Sequence, residues 1–160
     1  MANTRHQSHP HNSRSATWTL YTMSTTQQSF DKTLPPGPIV AHRLNGNYDF
    51  RGSASQPGEL RSVRILDTKP LTDEQSTRLR ATFAAAASFG GDGMRCFIPG
   101  VGFTVGAGAE AIEILVCLRC YWAYFFRGET RMVEALSEAG HRQFAEIYVE
   151  LFPDSNPDAA

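Results

Sequence analysis

The chain has 160 residues and a mass of 17.7 kDa, enough for one domain with its own core and too little to expect two. With 41% hydrophobic, 11% aromatic and 19% charged residues and a net charge of −1, it has the composition of a soluble globular protein and gives no electrostatic reason to expect a nucleic-acid partner. The longest apolar run, residues 109–126, is interrupted by Glu110, Glu113 and Arg119, and the first 30 residues hold no apolar stretch of leader length. The expectation is therefore a cytoplasmic protein with no membrane partner.

Charge is uneven along the chain. Residues 1–33 carry Arg5, Arg14 and Lys32 against Asp31, a net of +2, whereas from Glu129 onward seven acids face Arg131 and Arg142, a net of −5. Neither end holds a block of like charges, so both read as solvated ends. Residues 1–34 are rich in Ser, Thr, Asn, Gln and His without a helical or strand period, and are expected to be a disordered polar tail. His6, His9 and His11 invite a metal reading there, but an unordered tail binds weakly because ligation must also order the chain.

Pro35, Pro36, Gly37 and Pro38 form a stiff, extended lead-in to a single domain expected over residues 35–153, followed by a polar tail over 154–160. Residues 39–44 read as a first strand ended by Asn45, Gly46 and Asn47, with Tyr48 and Phe50 alternating in a second. Residues 51–59 are a loop by composition, and 60–66 an edge or lid strand. Thr72, with Gln75 three residues on and Asp73 and Glu74 in the first turn, marks a helix start. Leu79, Phe83 and Ala86 or Ala87 form its apolar face, and Gly90-Gly91 its stop, so the pattern predicts a helix over 73–89.

The densest information lies in residues 94–126. Ile112, Ile114, Val116 and Leu118 alternate with Glu113, Leu115, Cys117 and Arg119, so the first set faces the core. Continuing that parity places Cys120, Trp122, Tyr124 and Phe126 on the same face. Upstream, Val101, Phe103 and Val105 share one parity and Cys96 and Ile98 the other, with a bulge at Pro99-Gly100. A turn within residues 106–109 brings Cys96 opposite Arg119 or Cys120. A final helix is expected over about 138–152, capped by Ser137, buried through Phe144, Ile147, Tyr148 and Leu151 and stopped by Pro153, with residues 129–136 as an extra helical turn before it. The fold class that results is α+β: an antiparallel sheet, a central meander of about three strands, packed by two helices on one face.

Cys96, Cys117 and Cys120 are the candidate site residues. Three cysteines with a C-x2-C spacing could supply three zinc ligands, with His42, His141 or a carboxylate as the fourth, but a lone C-x2-C is a weak signal, so the expectation is no cofactor, with zinc as the alternative. On one regular strand, however, Cys117 and Cys120 point to opposite faces, and joint ligation needs a break at Leu118-Arg119. A redox pair is the second reading, across strands between Cys96 and Cys120 or within Cys117-Cys120 at a helix start. The leading reading is burial as small apolar residues, which is how free cysteine usually behaves.

Cys96, Phe97, Pro99, Phe103, Cys117 and Cys120 together resemble the C-F-x-P … C-x-x-C hairpin of a group of small bacterial proteins, over roughly residues 65–153. This chain has Gly100 and Val101 where those relatives often carry a basic residue or histidine. The resemblance implies a hairpin with its cysteines at one end and brings no activity with it. Gly100-Val101-Gly102 and Gly106-Ala107-Gly108 do not join a strand to a helix with a following Lys, so they read as turn and bulge glycines. Tyr121, Trp122, Tyr124, Phe125 and Phe126 could stack bases or sugars, but the sparse basic residues nearby favour core packing. Any of Tyr121, Ala123 and Phe125 left uncovered would form an apolar patch for a partner. Two functions follow as expectations: a non-enzymatic module acting through a protein partner or a homo-oligomer contact, or a thiol- or zinc-dependent protein.

Overall fold

The structure, a computed structural model, describes residues 33–49 and 56–156. Its elements run β1 (Ile39–Leu44), β2 (Glu59–Leu60), β3 (Val63–Pro70), α1 (Asp73–Ala84), β4 (Val101–Val105), β5 (Ile112–Cys117), β6 (Trp122–Arg127), β7 (Thr130–Ala135) and α2 (Glu138–Leu151), with short 3-10 turns at Ala86–Ser88 and Gly108–Glu110. All the strand pairings are antiparallel, in the order β2-β3-β1-β4-β5-β6-β7. This corrects the expected fold: in place of a three-strand meander packed by two helices, seven strands make a curled half-barrel sheet. The α+β character and the antiparallel sheet remain.

Alternation sorts the side chains onto two sides. Ile39, Ala41, Val101, Phe103, Ile112, Ile114, Val116, Ala123 and Phe125 meet Leu79 and Phe83 of α1 and Phe144, Ile147, Tyr148 and Leu151 of α2 in one core. Phe83 anchors α1 there, edge-on to Phe103 and Phe125 and tilted against Phe144 at ring separations of 6.3, 5.4 and 4.8 Å. On the other side Leu44, Leu60, Val63, Phe97, Leu115, Cys117, Cys120 and Phe126 form a second cluster. The disordered tail expected over 1–34 lies largely outside the described residues; its last residue, Leu34, is buried against the first core.

The cap of α1 follows its sequence: Thr72 Oγ1 accepts from Gln75 N, and Gln75 Oε1 accepts from Thr72 N. Its end does not. The alanines favour continuation to residue 89, but Ala85 turns extended and a 3-10 turn over Ala86–Ser88 follows. Tertiary bonds take precedence over propensity there. Phe89 bridges to Leu136, Gly90 N donates to Ala135 O, and Ser137 N donates to Ser88 O.

Four further expectations are corrected. Residues 129–136 are not helical but form β7, paired along its length with β6 after a two-residue turn in which Gly128 takes a φ of 53°. The strand expected from residue 60 is two strands about the Arg61-Ser62 turn, whose φ values of 49° and 64° give the twist of a tight hairpin at non-glycine positions. Asn45 to Asp49 form no second strand, and Phe50 lies outside the described residues. The β4–β5 register pairs Val101 with Val116 and Val105 with Ile112, one to two residues beyond the one expected, and Cys96 precedes β4 altogether, opposite neither Arg119 nor Cys120.

The second helix spans Glu138–Leu151, with Ser137 Oγ accepting from Gly140 N. Lys69 on β3 donates to Leu151 O at 2.6 Å, placing a cation at the negative end of the helix dipole. Gly140 lies so close to the 3-10 turn that a Cβ there would sit 2.1 Å from Ser88 O. Substitution Gly140→Ala gains about 1 kcal/mol of helix propensity, yet overpacking costs about 1–3 kcal/mol. Net destabilisation in urea unfolding is expected; a more stable variant would show that α2 does not rest on residues 86–88.

Candidate functional site

The four-residue turn between β5 and β6 is where the sequence puts its most distinctive chemistry. Strand β5 ends at Cys117, the chain turns through Leu118, Arg119, Cys120 and Tyr121, and β6 starts at Trp122, paired with Cys117. Tyr121 closes the turn with a φ of 59°. Because the strand breaks here, Cys120 returns to the side that Cys117 faces, and the two form a disulfide with a Cα–Cα distance of 5.3 Å. The break also reverses the parity downstream: Cys120, Trp122, Tyr124 and Phe126 lie on the side away from the helices, and Ala123 and Phe125 face them. This corrects the placement expected from an uninterrupted strand.

Both half-cystines are fully buried, whereas Cys96 is exposed and outside the pair. Cys117 Sγ accepts from Cys120 N at 3.1 Å, and Ile98 N lies 3.4 Å from both sulfurs. The expected three-cysteine metal set is not assembled: among the described residues no group of three or more His, Cys, Asp or Glu side chains could hold a metal ion. The pair also sits at a hairpin turn, not at a helix start. His6, His9 and His11 lie outside the described residues.

Beside this turn, residues 93–98 cross the sheet as a strap. Met94 N donates to Cys120 O at 2.9 Å and Trp122 Nε1 donates to Met94 O at 2.6 Å. Gly93 lies against the Trp122 indole so closely that a Cβ would be 2.1 Å from the ring. Phe97 stacks on Tyr124 at 3.8 Å between centroids and 11° between planes, with Tyr48 edge-on to both. The Arg131 guanidinium lies 5.5 Å over Tyr124, and that of Arg61 lies 4.7 Å over Phe126 while pairing with Glu113. Desolvation by burial pushes the Tyr124 hydroxyl above its ordinary pKa, against the pull of Arg131. Around these rings Met94, Ile98 and Val133 are 53%, 40% and 39% exposed.

No family model, curated protein or solved structure matches the chain. What can be said of its chemistry rests on its own residues. Among the described residues no helix is long and apolar enough to cross a membrane.

The two histidines considered as fourth ligands have other surroundings. His141 on α2 stacks on Tyr121 at 4.2 Å between centroids. His42 is 8% exposed on β1, its Nδ1 3.1 Å from Thr68 Oγ1 and its Nε2 3.0 Å from Thr104 Oγ1. Sequence reasoning missed this triad and the Arg61–Glu113 pair, since both join strands whose register is set only on folding. An open groove of about 820 Å³ lies between α1 and the proline lead-in, where Arg80 donates to the carbonyls of Leu34, Pro35 and Gly37. Its residues are separate from those of the cysteine turn.

Burial lowers the His42 pKa below its ordinary 6.5. The folded state then holds fewer protons than the unfolded one between the lowered value and 6.5, so stability rises with pH across that window and falls as pH drops through it. Urea unfolding from neutral pH down to about pH 5 should show a shallower pH slope in His42→Gln than in the native protein; equal slopes would remove His42 as a source of acid sensitivity.

Proposed function

We propose that the protein is a non-enzymatic interaction module that associates through the β7 end of its sheet, with a second copy of the chain as its partner. The observation that supports this is the edge itself. Strand β7 comes last in the sheet order and, apart from the bond that Ala135 O accepts from Gly90 N at its end, pairs among the described residues only with β6. An edge strand of six residues is a template for another strand. Next to it stand the half-buried Trp122 and Tyr124 and the exposed Met94, and Arg131 lies on the strand itself, all residue types that protein interfaces favour, with Val133 exposed beside it.

Self-pairing is also compatible with the charges of β7. In an antiparallel pairing of identical strands about a two-fold axis normal to the sheet, opposed residues share a face, so the register centres on Met132 or on Val133. The first sets Arg131 against Val133 and the second sets it against Ala135. Neither places like charges opposite one another, which would be destabilising.

Sedimentation equilibrium over a concentration series tests the reading. A concentration-dependent dimer is expected, and Val133→Lys should weaken it at least tenfold while leaving the far-ultraviolet circular dichroism unchanged. A monomer at every concentration would overturn self-association, and a dimer indifferent to Val133→Lys would move the contact away from β7.

A further inference from the structure

We propose that Cys117–Cys120 is a reversible dithiol–disulfide switch that exchanges with an external dithiol, with the strap of residues 93–98 governing access. This does not rest on the β7 contact. A disulfide that serves only as a staple needs nothing beyond its two Cβ positions, but this one is set among backbone donors. Cys117 Sγ accepts from Cys120 N and Ile98 N, whereas Cys120 Sγ shares Ile98 N alone. Hydrogen bonds to a charged form favour that form. A thiolate released at Cys117 therefore keeps two donors, and the better-stabilised thiolate is the better leaving group. The geometry assigns Cys120 Sγ as the sulfur attacked and Cys117 as the one that leaves.

The turn is held without the S–S bond. Cys117 pairs with Trp122 across it, Leu136 N donates to Tyr121 O at 2.7 Å, and Tyr121 stacks on His141 of α2. Opening the bond leaves those restraints in place, so the fold accommodates both redox states. Access is the remaining requirement. Both sulfurs are fully buried, and Ile98 N lies against the pair, in a strap fastened also by the Met94 bonds to Cys120 and Trp122 and by Phe97 stacked on Tyr124. An attacking thiol must displace that strap.

The exchange balances with a dithiol as the reductant. Its first thiolate bonds to Cys120 Sγ as the Cys117–Cys120 bond breaks, leaving the electron pair on Cys117. Its second thiolate then attacks the reductant's own sulfur in the mixed disulfide and releases Cys120. Two electrons have passed to the pair, the reductant's two protons end on the two cysteines, and the reductant departs as a disulfide. An oxidised dithiol reverses the sequence.

The test uses the full chain carrying Cys96→Ser, so that only the pair reports. Reduced dithiothreitol should yield two alkylatable thiols while the far-ultraviolet circular dichroism stays native, and oxidised dithiothreitol should restore the disulfide. Acid-quenched reaction with glutathione, followed by peptide mass mapping, should place the adduct on Cys120. Adding Gly93→Ala, whose Cβ collides with Trp122, should speed reduction several-fold without changing the end point. Reduction only under denaturing conditions, an adduct on Cys117, or failure of the purified chain to form the disulfide under oxidant would each overturn the proposal. None of these readouts involves association, so they stand or fall apart from the β7 contact.

Discussion

From Ile114 to Leu118 every side chain is buried, Ile114, Val116 and Leu118 towards the helices and Leu115 and Cys117 away from them. A strand buried on both faces demands two covers, and most of the architecture can be read as supplying them. Helices α1 and α2 cover one face through Phe83, Phe144, Ile147 and Leu151. The other is covered by the β2–β3 hairpin, with Leu60 and Val63, and by Phe97 from the strap ahead of β4. Burying side chains of this size contributes about 1.5–3 kcal/mol each. The chain before β4, which looks irregular by itself, is therefore as much part of the core as the strands.

Because Phe97 must reach the second cluster, residues 93–98 are drawn across the β5–β6 turn, and that places Ile98 N 3.4 Å from both sulfurs. The setting of the disulfide is thus a consequence of how the second face is sealed. The same seal leaves Met94 on the outside, bonded to Trp122, so the surface considered for association and the cover of the disulfide share a segment. A polar row on that face, with His42 between Thr68 and Thr104 and Arg61 paired with Glu113, shows how the sheet accommodates ionisable groups under partial cover.

Much was legible where a local pattern was complete in itself. The Thr72–Gln75 capping box, the Ser137 cap, the first strand at Ile39–Leu44 and the inward set Ile112, Ile114, Val116 and Leu118 all depend on residues a few positions apart, and the structure places them accordingly. What failed did so at places where a distant partner decides. Residues 129–136 contain good helix formers, yet an open strand edge at β6 claims them as β7. The alanines after Phe83 favour helix, yet the backbone of 135–137 takes hydrogen bonds from or gives them to residues 88–90 instead.

By itself, then, the sequence determined the helix starts and the parity of β4 and β5, because each is encoded within a few residues of chain. Only the tertiary structure decided that the strand breaks after Cys117, that the two cysteines share a face and a bond, that Cys96 stands apart, and that seven strands form one sheet. Alternation repeats every two residues and carries no signal of where a run must fold back. That point is fixed by register with neighbouring strands, and register is set by which faces become buried once the whole sheet is covered.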